Sequence, residues 1–220
     1  MQVKPTIYAL SHCMDYADEN LRFWEYNHTE HFQERVLWTN DGLPVEVCGS
    51  NDQFVAGKNH SGKYKTQVVK GDLTISLVGH PLYLNFGHFG TIHDDPLWGL
   101  NPFRGMVRPW EYGLGDKAYV GCPEMLTEIK GPNLTGDARE WNTCLQHYRA
   151  RNEHLVSELK NSRSALSSKW RNSYSLLKAV AKISFNMMAL TERMRGPRYK
   201  CYGPWPVCPH EIVELYEAAF

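Results

Sequence analysis

The chain has 220 residues, 42% of them hydrophobic and 12% aromatic, which is enough to bury the core of one globular domain. Its 24 basic and 24 acidic residues balance, which argues against binding to polyanions through overall charge. The longest apolar run, LLKAVAKISFNMMAL, contains two lysines and is too short to cross a bilayer. The N-terminus has no secretory-signal pattern. We therefore expect an intracellular protein with no membrane partner.

The first half of the chain predicts a helical lead followed by strands. Residues 1–34 are predicted to form this lead, without a complete helix-turn-helix. ERVLWTNDGLPVEV (34–47) predicts a strand that ends in a turn at Asn-Asp-Gly. Residues 63–69 and 73–78 alternate in polarity and predict two strands joined by a Lys-Gly-Asp hairpin turn.

Helices dominate the later part of the chain. IHDDPLWGL (92–100) predicts a helix start, EYGLGDKAYVG (111–121) a short strand running into a loop, and CPEMLTEI (122–129) a helix with Pro123 in its first turn. Asp137 and Glu140 resemble a capping box that opens a helix to about residue 163, and a second helix covers about 168–193. We therefore predict an α/β domain over residues 35–195 and a Pro-rich tail over 196–220.

The segment RARNEHLVSELK (149–160) carries three charged residues on one side of its predicted helix. At about 100° per residue, one line of the helix is apolar and faces the core: Trp141, Leu145, Tyr148, Leu155 and Leu159. Arg149, Glu153 and Lys160 lie about 80–120° from that line, at the border with solvent. Arg151, His154 and Glu158 project to the far side. Glu153 can therefore be directed at a site, although an Arg–Glu pair four residues apart commonly only stabilises a helix surface.

Charge is also segregated along the chain. Residues 149–200 carry twelve basic residues against three acidic ones, whereas residues 1–148 carry twelve against eighteen. This pattern suits a protein that gathers carboxylates at one place and binds phosphates beside them, although a solvated pair of basic helices has the same composition.

Two further acids follow β-prone runs and adjoin glycine. They are Asp41 in LWTNDGLPV and Asp116 in YGLGDKAYVG. Strand ends in α/β folds favour ligands, and Asp beside Gly is also ordinary turn chemistry. Together with Glu153, these residues supply the oxygen donors that two Mg²⁺ or Mn²⁺ ions need.

The order and spacing of these motifs resemble those of DDE-superfamily transposases, most closely the PIF/Harbinger type and its bacterial insertion-sequence relatives. The resemblance covers about residues 35–190 and rests on four motifs: Asp41-Gly42, FGTIHD (89–94), LGDKAY (114–119), and the Arg149, Glu153 and Lys160 element. It implies an RNase H-like fold with a central mixed sheet. It also implies metal-dependent DNA cleavage and strand transfer, with Asp41, Asp116 and Glu153 binding two divalent metals, and with Arg149 and Lys160 orienting the glutamate and contacting the DNA backbone.

The chain departs from the family at three places. Gln146 stands where the bacterial signature has a tyrosine, and Phe89-Gly90-Thr91 replaces Pro-Gly-Ser. Only 40 residues precede Asp41, where full-length relatives carry a helix-turn-helix region. Asp94 is then either an accessory metal ligand or a helix cap. A separate protein could supply DNA targeting, and homo-oligomerisation and a nuclear location in a eukaryotic source are further expectations.

Two other functions stay open on the residues alone. His88, His93, Asp94 and Asp95 could form the metal cluster of a phosphohydrolase, although the remaining histidines form no pair at helical spacing. A truncated or domesticated transposase fragment could instead bind DNA or protein without catalysis. Salt-dependent DNA binding without Mg²⁺- or Mn²⁺-dependent cleavage would identify this binding module.

Overall fold

The computed structural model describes residues 3–23, 35–162, 164–196 and 198–199. Its helices are α1 (Val3–Cys13), α2 (Gln53–Asn59), α3 (Asp94–Gly99), α4 (Gly136–Asn161), α5 (Ser164–Ser167) and α6 (Tyr174–Arg195). Its strands are β1 (Val36–Glu46), β2 (His60–Ser61), β3 (Thr66–Ser76), β4 (Pro81–Phe89), β5 (Tyr112–Leu114) and β6 (Met125–Leu126). None of the helices in these ranges combines the length and apolar character needed to span a membrane.

The six strands form one mixed sheet. Its main order is β4-β3-β1-β5-β6, and β2 pairs with the first residues of β3. β3 runs antiparallel to β1 and β4, whereas β5 runs parallel to β1 and β6. The predicted α/β class with a central mixed sheet and flanking helices is confirmed.

The two faces of the sheet have different coverings. Leu43 and Val45 of β1 belong to a buried cluster with Leu155 of α4 and Phe185 of α6. Trp38 lies on the opposite face, in a second cluster with residues of α3 and of the loop that follows it. Because side chains alternate along a strand, Asp41 lies on the same face as Leu43 and Val45, under α4.

Both predicted turns in the strand region are wrong. β1 continues through Asn40, Asp41 and Gly42, each of which pairs with a residue of β3. The Lys-Gly-Asp segment at 70–72 likewise lies inside β3, and the chain reverses at residues 77–80 instead. Pairing among three long adjacent strands outweighs the local turn preference of these short polar sequences.

Three later predictions need correction. The predicted helix over 122–129 contains β6, because Met125 and Leu126 are buried and pair with β5. The predicted helix α4 is confirmed, but its N-cap is Thr135 and not the predicted capping box of Asp137 and Glu140. The Thr135 hydroxyl accepts a hydrogen bond from the Ala138 amide. The predicted second helix over 168–193 begins later than expected, because α6 starts at Tyr174 and residues 168–173 are not helical.

The lead contains α1 and a 3-10 helix at Glu19–Phe23. Arg22 attaches this part of the chain to the domain through a buried ion pair with Glu111 at 2.7 Å. The remainder of the predicted lead at 24–34, and the predicted tail from residue 200 onward, lie outside the described residues.

Candidate functional site

A polar cavity of about 220 Å³ lies beside β1, next to the point where β5 ends. Its charged lining consists of four carboxylates and three cationic side chains: Asp41, Asp94, Asp116, Glu153, Lys63, Lys70 and Arg149. The fold thus brings to one cavity all four acids selected from the sequence, together with Arg149.

The parallel pairing of β1 and β5 explains how Asp41 and Asp116 come together. Thr39 lies opposite Leu114, and each aspartate follows two residues later on its own segment. Asp116 lies just beyond the end of β5 and caps a 3-10 helix, because its Oδ1 accepts a hydrogen bond of 2.7 Å from the Ala118 amide. The predicted strand-end position is therefore confirmed for Asp116, whereas Asp41 lies within β1.

Asp41 is poorly solvated, and its pKa is shifted by burial and by the charges that surround the cavity. Burial, the largest cause, together with the negative charges of Glu153 and Asp116, raises the pKa of Asp41 to about 6. A 2.8 Å hydrogen bond from the Gly42 amide and the positive charge of Arg149 act in the opposite direction. A bound divalent cation would favour the ionised carboxylate, since it offsets both the burial and the repulsion.

Asn152 fixes the position of α4 above the sheet. Its buried Nδ2 donates hydrogen bonds to the carbonyl oxygens of Thr39 at 3.1 Å and Leu73 at 2.9 Å, on two neighbouring strands. The next residue, Glu153, lines the cavity and is exposed. Within the described part of the chain, the Glu153 side chain forms no hydrogen bond or ion pair, so its carboxylate is available to a ligand.

Arg149 and Lys160 differ in how they relate to the cavity. Arg149 Nη1 lies 3.2 Å from Glu128 Oε1, so its ion pair is with Glu128 rather than with Glu153. Lys160 does not line the cavity, but it is half-buried and its charge interacts with that of Asp41. Burial lowers the pKa of Lys160, and the Asp41 carboxylate opposes that shift.

Asp94 contributes a carboxylate from the start of α3. The helix-cap interpretation is wrong, because His93 is the N-cap residue and no side-chain bond caps this helix. Asp94 Oδ1 instead lies 3.5 Å from Lys70 Nζ, which also donates a 2.7 Å hydrogen bond to the Ile92 carbonyl oxygen. Asp94 therefore remains a candidate accessory ligand that is paired with a lysine.

Several residues that line or support the site are not predicted by the sequence motifs. Lys63, Tyr64 and Lys70 line the cavity, yet lysines and tyrosines in strands and turns have no diagnostic spacing. Asn152 does have a signal, because it lies four residues after Tyr148 and so falls on the core line of α4. A polar residue on a core line indicates a buried hydrogen-bonding role.

The placement of the cavity carboxylates determines whether they can bind a metal ion together. Across the described ranges, no three His, Cys, Asp or Glu side chains are arranged to hold a metal ion. This holds for the triad of Asp41, Asp116 and Glu153. It also holds for the cluster of His88, His93, Asp94 and Asp95. The triad nevertheless has the right donor chemistry, since hard oxygen ligands suit Mg²⁺ and Mn²⁺. A bound cation would reduce the repulsion among these carboxylates and favour their closer approach.

A further acid, Asp72, is buried on the opposite face of the sheet. Its Oδ2 accepts hydrogen bonds from Asn101 Nδ2 at 3.1 Å and from Asn40 Nδ2 at 3.4 Å. Burial raises the pKa of Asp72 to about 7, and these amide donors oppose the shift. Asp72 does not line the cavity and belongs to the core beneath it.

Comparison of the chain with protein-family models, with curated proteins and with solved structures finds no match.

Proposed function

We propose that the chain is a DDE-type nuclease or transposase domain that hydrolyses or transfers DNA phosphodiesters. Asp41, Asp116 and Glu153 would hold two Mg²⁺ or Mn²⁺ ions, with Asp94 as an accessory ligand. The observation that carries this proposal is the convergence of these carboxylates on one cavity, where the charges of Asp116 and Glu153 both act on Asp41.

The strand order supports the finer assignment of the fold as RNase H-like. In that fold, three antiparallel strands are extended by two parallel ones. The order β4-β3-β1-β5-β6, with β5 and β6 parallel to β1, agrees with this arrangement. β2 and α2 would then be additions between the first and second long strands.

The residues around the carboxylates are suited to phosphodiester chemistry. When bound, two divalent cations supply activation of a water or 3′-hydroxyl and stabilisation of the leaving oxygen. Glu128 holds the Arg149 guanidinium at the cavity, where it can bind an incoming phosphate oxygen. Lys63 and Lys70 add positive charge at the same cavity and favour a polyanionic substrate.

Replacement of Glu153 by glutamine tests the catalytic assignment. Glutamine keeps the size of the side chain but removes the charge that would hold a cation, so Mg²⁺- and Mn²⁺-dependent nicking of supercoiled DNA should be lost. DNA binding should be unchanged or stronger because a negative charge is removed. Glu140→Gln, an exposed glutamate on the same helix, is the matched control and should leave nicking unchanged. Equal nicking by Glu153→Gln and the parent chain would reject the assigned role.

Metal binding can be measured separately from cleavage. A ligand that binds only the folded state stabilises it, so added Mg²⁺ or Mn²⁺ should raise the Tm of the parent chain. The rise should be smaller in Glu153→Gln and retained in Glu140→Gln. DNA binding that falls steeply with salt, without a metal-dependent Tm rise or nicking, would favour the non-catalytic binding module instead.

A further inference from the structure

A basic segment without acidic residues borders the carboxylate cavity. Residues 53–71, which we call the lysine edge, contain α2, β2, the turn into β3 and the first part of β3. They carry four lysines and no Asp or Glu: Lys58, Lys63, Lys65 and Lys70. Two of these lysines line the cavity itself. The lysine edge therefore places concentrated positive charge beside the acidic site.

The lysine edge also exposes aromatic rings. Phe54 is 69% exposed and Tyr64 is 39% exposed, and Tyr64 lines the cavity. Each ring has a lysine close to it, with Lys58 Nζ 5.7 Å from the Phe54 centroid and Lys63 Nζ 5.6 Å from the Tyr64 centroid. A third ring, Phe89, is 49% exposed at the end of β4, next to β3. Exposed rings with lysines beside them are suited to stacking on nucleobases and binding phosphates.

The turn that carries Tyr64 has a defined backbone. Ser61 pairs with Thr66, and the Lys65 amide donates a 2.8 Å hydrogen bond to the Ser61 carbonyl oxygen. Lys65 has a φ of 53°, the left-handed conformation that favours Gly or Asn. Lys65 occupies a position where glycine would be less strained, and Tyr64 lies between Lys63 and Lys65 in this turn.

We propose that the lysine edge binds an unpaired DNA strand beside the bond that is cut. Tyr64 and Phe54 would stack on bases, and Lys58, Lys63 and Lys65 would contact phosphates. An exposed ring stacks readily on an unpaired base, whereas the bases of an intact duplex already stack on one another. Lysines alone would serve duplex DNA equally well. The inference rests on the proposed function and names its substrate class as DNA with single-stranded nucleotides at the cleavage point.

Binding without divalent metal tests this inference independently of catalysis. The full chain is titrated in EDTA against a fluorescent oligothymidine of about twelve nucleotides and against a hairpin duplex of equal charge. Tyr64→Ala should weaken binding to the single strand about five-fold or more and change hairpin binding by less than about two-fold. Tyr64→Phe keeps the ring and should retain the affinity. Tyr16→Ala removes a ring of similar exposure, 37%, from the lead and should have no effect.

The lysine–phosphate interactions have their own readout. Removing one such interaction on a single strand lowers the slope of log affinity against log salt by about 0.7, so the double variant Lys63→Ala, Lys65→Ala should lower it by about 1.4.

Unchanged single-strand affinity in Tyr64→Ala, equal decreases on both probes, or no binding to either probe would overturn the inference. Single-strand binding that depends on Tyr64 but is not accompanied by metal-dependent nicking would reject only the proposed catalysis. Nicking that is insensitive to Tyr64 would reject only the role of the lysine edge.

Discussion

The ionised Asp41 side chain is expected to destabilise the folded protein, and its replacement by asparagine should reveal by how much. Burial first, and then the charges of Glu153 and Asp116, raise the pKa of Asp41 from 3.8 to about 6. The folded protein therefore binds more protons than the unfolded chain between about pH 4 and pH 6. The contribution of Asp41 to stability is fully present below this window and is lost as the pH rises through it. At pH 8, this pKa difference corresponds to roughly 3 kcal/mol as an upper limit.

Asparagine retains an oxygen that can accept the hydrogen bond from the Gly42 amide, but it carries no charge. We expect Asp41→Asn to raise the free energy of unfolding by about 1–3 kcal/mol at pH 8, by less at pH 5, and by almost nothing near pH 4. Urea unfolding in EDTA at the three pH values measures this directly. The same variant should lose metal-dependent nicking and the Tm rise with Mg²⁺.

Glu140→Gln is again the matched control, because it removes an exposed carboxylate and should change the free energy of unfolding by less than about 0.5 kcal/mol at each pH. A gain in Asp41→Asn that is as large at pH 4 as at pH 8 would show that charge burial is not its cause. A decrease in stability at pH 8 would refute the argument entirely.

Three further substitutions test the surroundings of the cavity. Asn152→Ala removes both side-chain hydrogen bonds from α4 to the sheet and should lower the free energy of unfolding by about 2–4 kcal/mol in urea; a change below about 0.5 kcal/mol would contradict the anchoring role. Gly113→Ala places a methyl group against the Trp38 ring and should cost about 1–3 kcal/mol and alter near-ultraviolet circular dichroism, whereas an unchanged spectrum would contradict this packing. Asp72→Asn should flatten the fall in stability between about pH 4 and pH 7, because the raised pKa of this buried carboxyl makes the parent chain less stable as pH rises; an unchanged slope would contradict it.

The position of Glu153 could be predicted from the sequence because it depends on one helix. The apolar residues of α4 recur at helical spacing, and Trp141, Leu145, Tyr148, Leu155 and Leu159 are all buried as predicted. Once that core line is known, Glu153 must lie at its border, and the structure has it lining the cavity. Asp116 is similarly accessible to sequence reasoning, since a short β-prone run ending in glycine is a local signal.

The errors concern features that depend on distant parts of the chain. Asn-Asp-Gly is a local turn signal and predicts a turn at Asp41, but pairing with β3 keeps β1 extended through it. The helical projection puts Arg151 on the far, solvent side of α4, yet this residue is 2% exposed. Its guanidinium lies over the Tyr199 ring and donates a hydrogen bond to the Leu77 carbonyl oxygen. A helical projection cannot anticipate a later segment that returns to cover the helix.

The charged residues of the cavity differ in whether they have an ion-pair partner. Arg149 pairs with Glu128, and Lys70 pairs with Asp94. Asp41 is held at a raised pKa, and Glu153 has no ion-pair partner among the described residues. The raised pKa of Asp41 means that its negative charge opposes folding, whereas removal of the exposed Glu153 charge breaks no ion pair within the described residues. The two substitutions should therefore diverge in stability, with Asp41→Asn stabilising and Glu153→Gln nearly neutral, while both abolish nicking. Abolished activity without a decrease in stability at both positions would assign the carboxylates to function rather than to folding.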